Sequence, residues 1–539
     1  MTVERQLNRA YSRAIFRCLA ALNVIGILAG CGGQPVSIMV SPTPASEAAN
    51  VEPAPGVVRE HATLSPPTAT QAAAEATLSP TLQSEPAAST VPALLPAPPE
   101  KRTLYDLEAT LDYGGRSLAV EERITYTNPT AERLAKIALV VEAQRYPGVF
   151  RLHAIRGPDG ERLFTFLWEG TVLILTLPQE LAPGETTQFS LAYSLQLLDV
   201  NKQPQVHSYP LGYSSLQANF GDWYPFIPPY SPGKGWLAHP PATYGEHLVY
   251  DIADFKAAIR FTDGREDLVI AASAPAQVDG EWRRYEHLAA RSFAWSASPN
   301  YEVVTQTVET ADGQSVVAAS YYFPYHAEAG KSLLEDMAQA VRLYSRLFGA
   351  YPHPALAGVQ VDFMDGMEYD GLYFLSTDFY NWHKDGPEDF LGALAAHETA
   401  HQWWGGVVGS DQALQPWLDE ALCTYSERLF YENVYPEALE WWWAWRVNYY
   451  EPEGPVDISV YDVTGQYRSY RDPVYLSGAL FFEELRGAMG DEAFFAALRA
   501  YVTRYAYRQA DGVGFWEVMR EHTEQDLGPV IKKYFMKTE

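Results

Sequence analysis

Apolar residues follow two different periods along this chain. Between 103 and 303, apolar and polar residues alternate in short runs such as 118–126 and 172–177, and turn residues such as Asn128-Pro129 separate these runs. Alternation with a period of two is typical of strands that bury one face. No long segment with a helical period interrupts the runs. The pattern predicts an N-terminal all-β domain over 103–303.

From 304 onward, apolar residues recur every three or four positions, which is the period of a helix with one buried face. Gly349 ends the first of these runs, as a glycine often does at a helix C-terminus. The predicted helices span Ala327–Phe348, 391–404, 418–431, Gly478–Met489 and 492–507. A strand-like run at 358–363 adds a small sheet, so the pattern predicts a mainly α domain over 304–539.

The first hundred residues differ from both domains. In 1–30 a basic flank precedes a short apolar run that ends in Leu-Ala-Gly before Cys31, which is typical of an export signal and too short for a membrane span. This ending resembles the bacterial lipoprotein signal, in which the cysteine is lipidated; an ordinary cleaved signal with a chance cysteine is the alternative. Residues 31–102 are rich in Pro, Ala, Ser and Thr, which predicts a disordered tether.

We therefore expect an exported lipoprotein, cell-surface or periplasmic, anchored to a bacterial membrane through Cys31. The formal net charge of −28 argues against nucleic acid as a partner, because phosphate binding needs clustered Lys and Arg. The chain has three cysteines. If Cys31 carries a lipid, Cys423 is the one free thiol left after signal cleavage, and we expect it to be a small buried residue.

One predicted helix carries residues that can hold a metal. His397 and His401 are four residues apart, so both imidazoles lie on one helical face and can reach a single ion. Glu398 between them is placed to take a proton from a metal-activated water. On its own this five-residue pattern also occurs in ordinary solvated helices.

A third ligand is found in the next predicted helix. A catalytic zinc site needs one more protein ligand beside two histidines. Glu420, separated from His401 by eighteen residues, lies in the apolar segment Trp-Leu-Asp-Glu, where a buried carboxylate is costly unless it is paired or bound to metal. Glu427 follows two turns later on the same face, where it can accept the second ring proton of a histidine ligand or simply face solvent.

These segments resemble a known family. The run His-Glu-Thr-Ala-His-Gln-Trp-Trp-Gly from His397, followed by Trp417-Leu-Asp-Glu, is similar to the gluzincin zinc aminopeptidases, the family of aminopeptidase N and leukotriene hydrolase. The similarity extends from about Phe348 to the C-terminus. It implies a β-saddle domain followed by a thermolysin-like catalytic domain that binds one zinc ion.

The resemblance also implies roles for two further segments. Gly366-Met367-Glu368 resembles the substrate-binding motif of the family, in which the glutamate holds the free α-amine. Tyr475 lies in a segment whose tyrosine hydroxyl stabilises the oxyanion in the family. Tyr369 departs from the usual residue after that glutamate, and the sequence of the β domain offers no recognisable second acidic anchor for the amine.

The expected function is that of a zinc metallopeptidase that removes N-terminal residues from peptide or protein substrates. The chain ends near the point where the family's catalytic domain ends, so we also expect an open cleft without the large C-terminal helical domain. One alternative is a zinc endopeptidase with such a cleft, and another is an inactive lipoprotein that binds a partner. The tryptophan-rich run 441–445 favours packing beneath the cleft over a surface patch.

Overall fold

The computed structural model of this chain describes residues 95–162, 165–203, 208–262, 264–463 and 465–536. The expected signal peptide, Cys31 and the tether up to residue 94 lie outside the described residues. None of the described helices combines the length and the hydrophobicity that a membrane span requires.

A seven-stranded sheet is the largest element of the first domain. Its strands alternate buried and exposed side chains, so that Leu107, Ala109 and Leu111 of one strand all point into the core. From edge to edge, the strands are Gln277–Asp279, Trp282–Ala290, Ala253–Phe261, Thr103–Asp112, Ser117–Thr127, Thr186–Gln196 and Phe150–Arg156. Most neighbours are antiparallel, and one central pair is parallel.

Smaller sheets complete the first domain. A three-stranded sheet contains Leu134–Val140, Val172–Leu181 and Phe166–Glu169; a four-stranded sheet contains Val269–Ala272, Trp295–Ser298, Ala218–Phe220 and Leu211–Tyr213; a short hairpin contains Tyr230–Ser231 and Gly235–Trp236. Their shared core is aromatic, with the rings of Phe220 and Trp295 stacked at a centroid distance of 3.7 Å.

The second domain begins with a five-stranded mixed sheet. Its strands, in spatial order, are Glu302–Glu309, Ser315–Tyr322, Ala355–Val361, Leu372–Ser376 and Gly366–Tyr369. The last of these is an edge strand that pairs antiparallel with its neighbour through one side only. A further pair of short strands joins Val408–Ser410 to Arg508–Ala510.

Helices make up most of the second domain. The α-helices are Ala327–Phe348, Thr377–Asn381, Phe390–Ala400, Glu420–Val434, Leu439–Trp441, Arg468–Arg471, Gly478–Met489, Asp491–Tyr505, Gly512–Glu521 and Gly528–Tyr534. Two π-helical segments are Trp442–Val447 and Asp472–Ser477. Short 3₁₀ turns occupy Pro324–His326, Pro416–Leu418, Pro436–Ala438 and Asn448–Tyr450 in this domain, and Glu142–Arg145 and Val200–Lys202 in the first domain.

Three predicted helices differ from the structure at their ends, and one of them, predicted over 492–507, runs from Asp491 to Tyr505. The helix predicted over 391–404 ends at Ala400, because the chain turns after His401 and Gly405, with φ of 104°, bonds back to Val408. The helix predicted over 418–431 runs from Glu420 to Val434, because Pro416 starts a separate 3₁₀ turn. The predicted fold class is confirmed: an all-β domain precedes a mainly α domain with a small sheet.

Arg291 of the β domain joins the two domains. Its guanidinium donates to the carbonyl oxygens of Gly406 at 2.7 Å and Arg508 at 3.0 Å in the second domain, and its backbone N–H donates to the carboxylate of Asp370. The ring of His287 in the first domain and that of His353 in the second lie with their centroids 4.4 Å apart. We call this boundary between the two domains the seam. The seam fixes the position of the β domain beside the edge strand.

Candidate metal centre

The structure brings His397, His401 and Glu420 together. Nε2 of His397 lies 3.2 Å from Oε2 of Glu420, and Nε2 of His401 lies 3.7 Å from the same oxygen. One donor atom from each residue falls within 4.8 Å of the others. All three side chains are buried. The helices that carry them, Phe390–Ala400 and Glu420–Val434, are therefore called the two ligand helices below.

A tyrosine of the long first helix holds the two ligand helices in register. The hydroxyl of Tyr344 lies 3.2 Å from the carbonyl oxygen of Ala396 and 2.9 Å from that of Ser426, one on each ligand helix. Tyr344 is fully buried. Because buried carbonyl groups need partners, this contact fixes the spacing between the helices that present the metal-binding side chains.

Carboxylates fix the orientation of both imidazoles. Nδ1 of His397 lies 2.9 Å from Glu427, and Nδ1 of His401 lies 2.7 Å from Asp419. A histidine that donates from Nδ1 keeps the lone pair of Nε2 for a metal. Glu427 thus lies where the sequence placed it, whereas Asp419 is a partner that sequence reasoning missed, although it immediately precedes Glu420.

Two other groups of potential ligands share these residues. One consists of His401, Asp419 and Cys423, and the other of Glu368, Glu398 and His401. The first would use Nδ1 of His401, which already faces Asp419. Burial raises the pKa of the Cys423 thiol well above its usual value, which disfavours the thiolate that a metal would need. The group of His397, His401 and Glu420 is therefore the better metal site.

Glu398 lies beside the triad with one oxygen free to act. Its Oε2 is buried without a hydrogen-bond partner among the described residues. Burial raises the pKa of Glu398 to about 7, against the effect of the two neighbouring histidines. Gly366 of the edge strand passes directly over this carboxylate, and a Cβ at that position would overlap Oε1. The strand can approach the base this closely because residue 366 is a glycine.

Glu368 and Met367 follow on the same edge strand. Oε1 of Glu368 lies 3.9 Å from Nδ1 of His401 and 3.5 Å from the amide nitrogen of Gln412. Burial raises the pKa of Glu368 to about 8, and the neighbouring carboxylates add to this rise. Met367 is partly buried against the core beneath the strand. Glu368 therefore faces the metal centre from the side of His401.

Glu246 is a second acid at this position, and sequence reasoning missed it. It belongs to the β domain, where the sequence offered no recognisable acidic anchor; the structure corrects this, because Glu246 lies within hydrogen-bonding reach of Glu420 and close to Glu368. Burial raises the pKa of Glu246 well above its usual value, and the charges of Glu368 and Glu420 raise it further. Its segment has no strand or helix whose period could have indicated its direction.

The segment that carries Glu246 is anchored on the second domain. His239 pairs with Asp411 at 3.0 Å, and the hydroxyl of Tyr461 donates to the carbonyl oxygen of Pro240 at 2.6 Å. Gly245, with φ of 74°, passes so close to Tyr470 that a Cβ would overlap its ring. Packing at the domain seam, and not local sequence, thus delivers Glu246 to the centre.

Tyr475 lies on the opposite side of the triad, in a π-helical segment. Its ring stacks on that of His397 with a centroid distance of 5.9 Å and an interplanar angle of 12°. Its hydroxyl lies within hydrogen-bonding reach of Glu420 and helps to lower the pKa of that ligand, which His397 and His401 hold near 2 despite burial. The hydroxyl is therefore a donor beside the place where a metal would bind.

The donor set fits zinc. Catalytic zinc sites of proteins combine three ligands, such as two histidine nitrogens and one carboxylate oxygen, with an open position. The two Nε2 atoms and Glu420 supply such a set, and the carboxylates of Glu427 and Asp419 orient the imidazoles. Glu398 lies beside this donor set and interacts with all three residues.

The comparison with protein families supports this reading of the second domain. Residues 334–534 match the model of the Peptidase family M1 domain. Aminopeptidase M1-D of Oryza sativa subsp. japonica is 26% identical over 206 residues, which cover 36% of this chain and 24% of that protein. Aminopeptidase N of Lactobacillus delbrueckii subsp. lactis is 22% identical over 302 residues, which cover 52% of this chain and 35% of that protein. The match thus spans about a quarter to a third of these relatives.

Solved structures match over more of the chain. A crystal structure of an M1 zinc metallopeptidase variant from Deinococcus radiodurans has a TM-score of 0.58 at 18% identity and covers 83% of this chain and 97% of that chain. The structure of such a variant bound to a Tyr-Ser-Ala substrate has a TM-score of 0.57 at 19% identity, with coverage of 82% and 96%. These neighbours share the two-domain fold described above.

Proposed function

We propose that this chain, whose second domain belongs to peptidase family M1, is a zinc aminopeptidase that removes residues from the free N-termini of peptides. The convergence of His397, His401 and Glu420 beside the unpartnered carboxylate oxygen of Glu398 carries this proposal. The relatives named aminopeptidase and the neighbour with a bound peptide support the same reaction class.

Each residue of the centre has a task in peptide hydrolysis. The three ligands would hold one zinc ion, which supplies Lewis-acid activation of the scissile carbonyl and of a water molecule. Glu398 takes the proton of the attacking water and passes it to the departing amine. The hydroxyl of Tyr475 donates a hydrogen bond to the carbonyl oxygen as negative charge develops there.

The acids on the His401 side favour cleavage at a free N-terminus. A protonated α-amine placed between Glu368 and Glu246 would receive two charge-assisted hydrogen bonds. Gln412 donates to both Glu368, at 3.5 Å, and Asp419, at 2.5 Å, and so holds Glu368 in place. The edge strand Gly366–Tyr369 leaves one side of its backbone unpaired within the described sheet, so an extended substrate can add to it as a further strand. An endopeptidase would have no use for two acids at this end of the cleft.

The test uses matched substrates and metal analysis. The purified protein is expected to bind about one zinc per chain, to lose activity on chelation and to regain it with zinc. Free peptides are expected to be cut at the N-terminal residue at least about 100-fold faster than their N-acetylated forms, because the acetylated amine carries no charge. Zinc-loaded protein that cleaves neither set would contradict the proposal. Equal rates on both sets would support the endopeptidase alternative instead.

We also propose that the chain is exported and anchored through a lipid on Cys31. The support is the order of basic flank, apolar run and Leu-Ala-Gly before that cysteine. Expression of the full chain with a Cys31→Ser variant is the test. Wild-type protein is expected in the membrane fraction with a detergent-dependent release, and the variant in the soluble fraction. Equal distribution of the two forms would contradict the anchor.

A further inference from the structure

A row of aromatic rings leads from the metal centre to the protein surface. Tyr475 stacks on His397, and Tyr470 follows with its ring centroid 5.7 Å from that of Tyr475. Tyr467 is next, at 6.5 Å from Tyr470, and 38% of its surface is exposed. The row therefore begins at a histidine of the metal centre and ends in solvent.

A second group of rings borders the exposed end of this row. The guanidinium of Arg471 lies 3.9 Å from the ring centroid of Tyr450, and the rings of Tyr449 and Tyr450 meet edge to face with a centroid distance of 5.2 Å. The ring centroid of Trp445 lies 5.6 Å from that of Tyr449, and these two residues are 36% and 38% exposed. We call Trp445, Tyr449, Tyr450 and Tyr467 the aromatic rim.

Polar contacts connect the two arms of the rim and hold it in shape. Arg468, the neighbour of Tyr467 in sequence, donates to the carbonyl oxygen of Tyr450 at 2.8 Å. Asp472 accepts hydrogen bonds from both Arg468 and Arg471. These contacts fix the backbone of Tyr450 beside the segment that carries Tyr467. A surface whose parts are already held in place loses less conformational entropy when a ligand covers it.

The position of the rim identifies its ligand. Glu368 lies on the His401 side of the centre, whereas the row of rings starts at His397. A peptide whose amine is held by Glu368 and whose scissile bond lies at the metal site therefore runs toward the rings.

We propose that the aromatic rim binds the part of the peptide substrate downstream of the scissile bond, and that it favours aromatic side chains there. This inference rests on the proposed peptidase function. Each additional ring contact of this kind is usually worth a 2- to 12-fold change in affinity, or about 0.5–1.5 kcal/mol. The preferred substrates are therefore peptides long enough to reach the rim, and not dipeptides alone.

The kinetic test compares substrates with and without a downstream segment. It uses an aminoacyl arylamide, a hexapeptide with phenylalanine at the downstream positions and the same hexapeptide with glycine there, all with one N-terminal residue. Tyr467→Ala is expected to lower kcat/KM for the phenylalanine peptide about 5- to 10-fold more than for the arylamide, chiefly through KM. Tyr467→Phe keeps the ring and is expected to keep the preference.

A binding test keeps the rim and the proposed function separable. In the inactive Glu398→Gln background, anisotropy of labelled hexapeptides is expected to report about 5- to 10-fold weaker binding of the phenylalanine peptide after Tyr467→Ala or Tyr449→Ala. Tyr325→Ala is the matched control, because this tyrosine is 63% exposed and stacks on Phe323 outside the rim. If both peptides lose affinity equally, or neither loses affinity, the proposal that the rim binds the downstream segment is wrong. Absence of any hydrolysis by wild-type protein would overturn the proposed function alone.

Discussion

The two histidines of the metal centre are oriented by the same kind of group, a carboxylate, but the charges of the two carboxylates are balanced differently. Each histidine of the triad has its Nδ1 against a buried carboxylate, Glu427 for His397 and Asp419 for His401. Glu427 also accepts two hydrogen bonds from Arg446, at 2.9 and 2.8 Å, so its charge is compensated. Asp419 accepts no hydrogen bond from an arginine among the described residues; Arg291 acts on it only through its charge, and the neutral amide of Gln412 donates to it.

The difference in compensation matches the proposed direction of the substrate. On the His401 side, Glu368 and Glu246 lie close together, and burial together with the charges of neighbouring carboxylates raises the pKa of each, so the pair favours a cation such as an α-ammonium group. On the His397 side, Glu427 is paired with Arg446 and an aromatic ring packs on the histidine, which favours uncharged chain. Under the proposed function, the centre therefore holds the amino end of a peptide by electrostatics and the residues after it by packing.

The largest expected effect comes from the residue that both sides share. Glu398→Gln is expected to lower kcat by about 10³-fold or more while zinc content stays the same, because the amide cannot accept the proton of the attacking water. Metal analysis and steady-state kinetics on an aminoacyl arylamide measure both. Retained turnover in this variant would mean that another group is the base.

Replacing the carboxylates that contact the two histidines tests the difference between the two sides most directly. Glu427→Gln and Asp419→Asn are each expected to weaken zinc binding by about 10- to 100-fold, because each loses the carboxylate that orients a ligand. Glu427→Gln should in addition destabilise the fold by about 3–5 kcal/mol, since Arg446 then keeps a buried charge without its partner. Zinc titration and denaturant unfolding of the metal-free proteins distinguish the two effects. Equal destabilisation by both variants would refute the difference in compensation.

The amine side is tested by its two acids. Glu368→Gln is expected to lower kcat/KM for free peptides by about 10- to 100-fold, and Glu246→Gln by a smaller factor of about 10, because each loses one charge-assisted hydrogen bond. N-acetylated peptides provide the control, since their slow cleavage should not change. If Glu246→Gln behaves as wild type on free peptides, the β domain contributes no anchor.

The last prediction concerns stability, through the seam that joins the two domains. Burial lowers the pKa of His287 to about 3, helped by the neighbouring His353, and burial lowers that of His353 to about 4; the carboxylate and carbonyl of Asp370 oppose the shift at His287. Both rings therefore stay neutral in the fold while the unfolded chain takes up protons below about pH 6.5. Stability is complete above that value and falls as the pH approaches 4.

The contribution of the seam histidines to the pH dependence of stability can be measured in a His353 variant. His353→Gln is expected to reduce the loss of unfolding free energy between pH 7.5 and 4.5 by up to about 3 kcal/mol relative to wild type. Denaturant unfolding at the two pH values measures it, with His153→Gln, a surface variant, as the control. An unchanged pH dependence in His353→Gln would show that this ring does not couple folding to pH.

Local sequence determined the parts of this protein whose neighbours are close along the chain. Alternation predicted the β strands, and the helical period predicted the helix Ala327–Phe348 with both its ends. The same period put His397 and His401 on one face, because residues four apart in a helix are always neighbours. That arrangement needs no information from the rest of the fold.

Tertiary structure alone decided how the cleft is lined. Glu246 reaches the centre because an irregular segment of the β domain packs against Tyr470 and Asp411 of the other domain, and no periodic pattern encodes that contact. The aromatic rim likewise depends on the segment that carries Trp445, Tyr449 and Tyr450 meeting the segment that carries Tyr467 and Arg468. A repeating pattern records which face of a helix or strand is buried, whereas contacts between distant segments depend on how whole elements pack, and a single sequence does not state that packing.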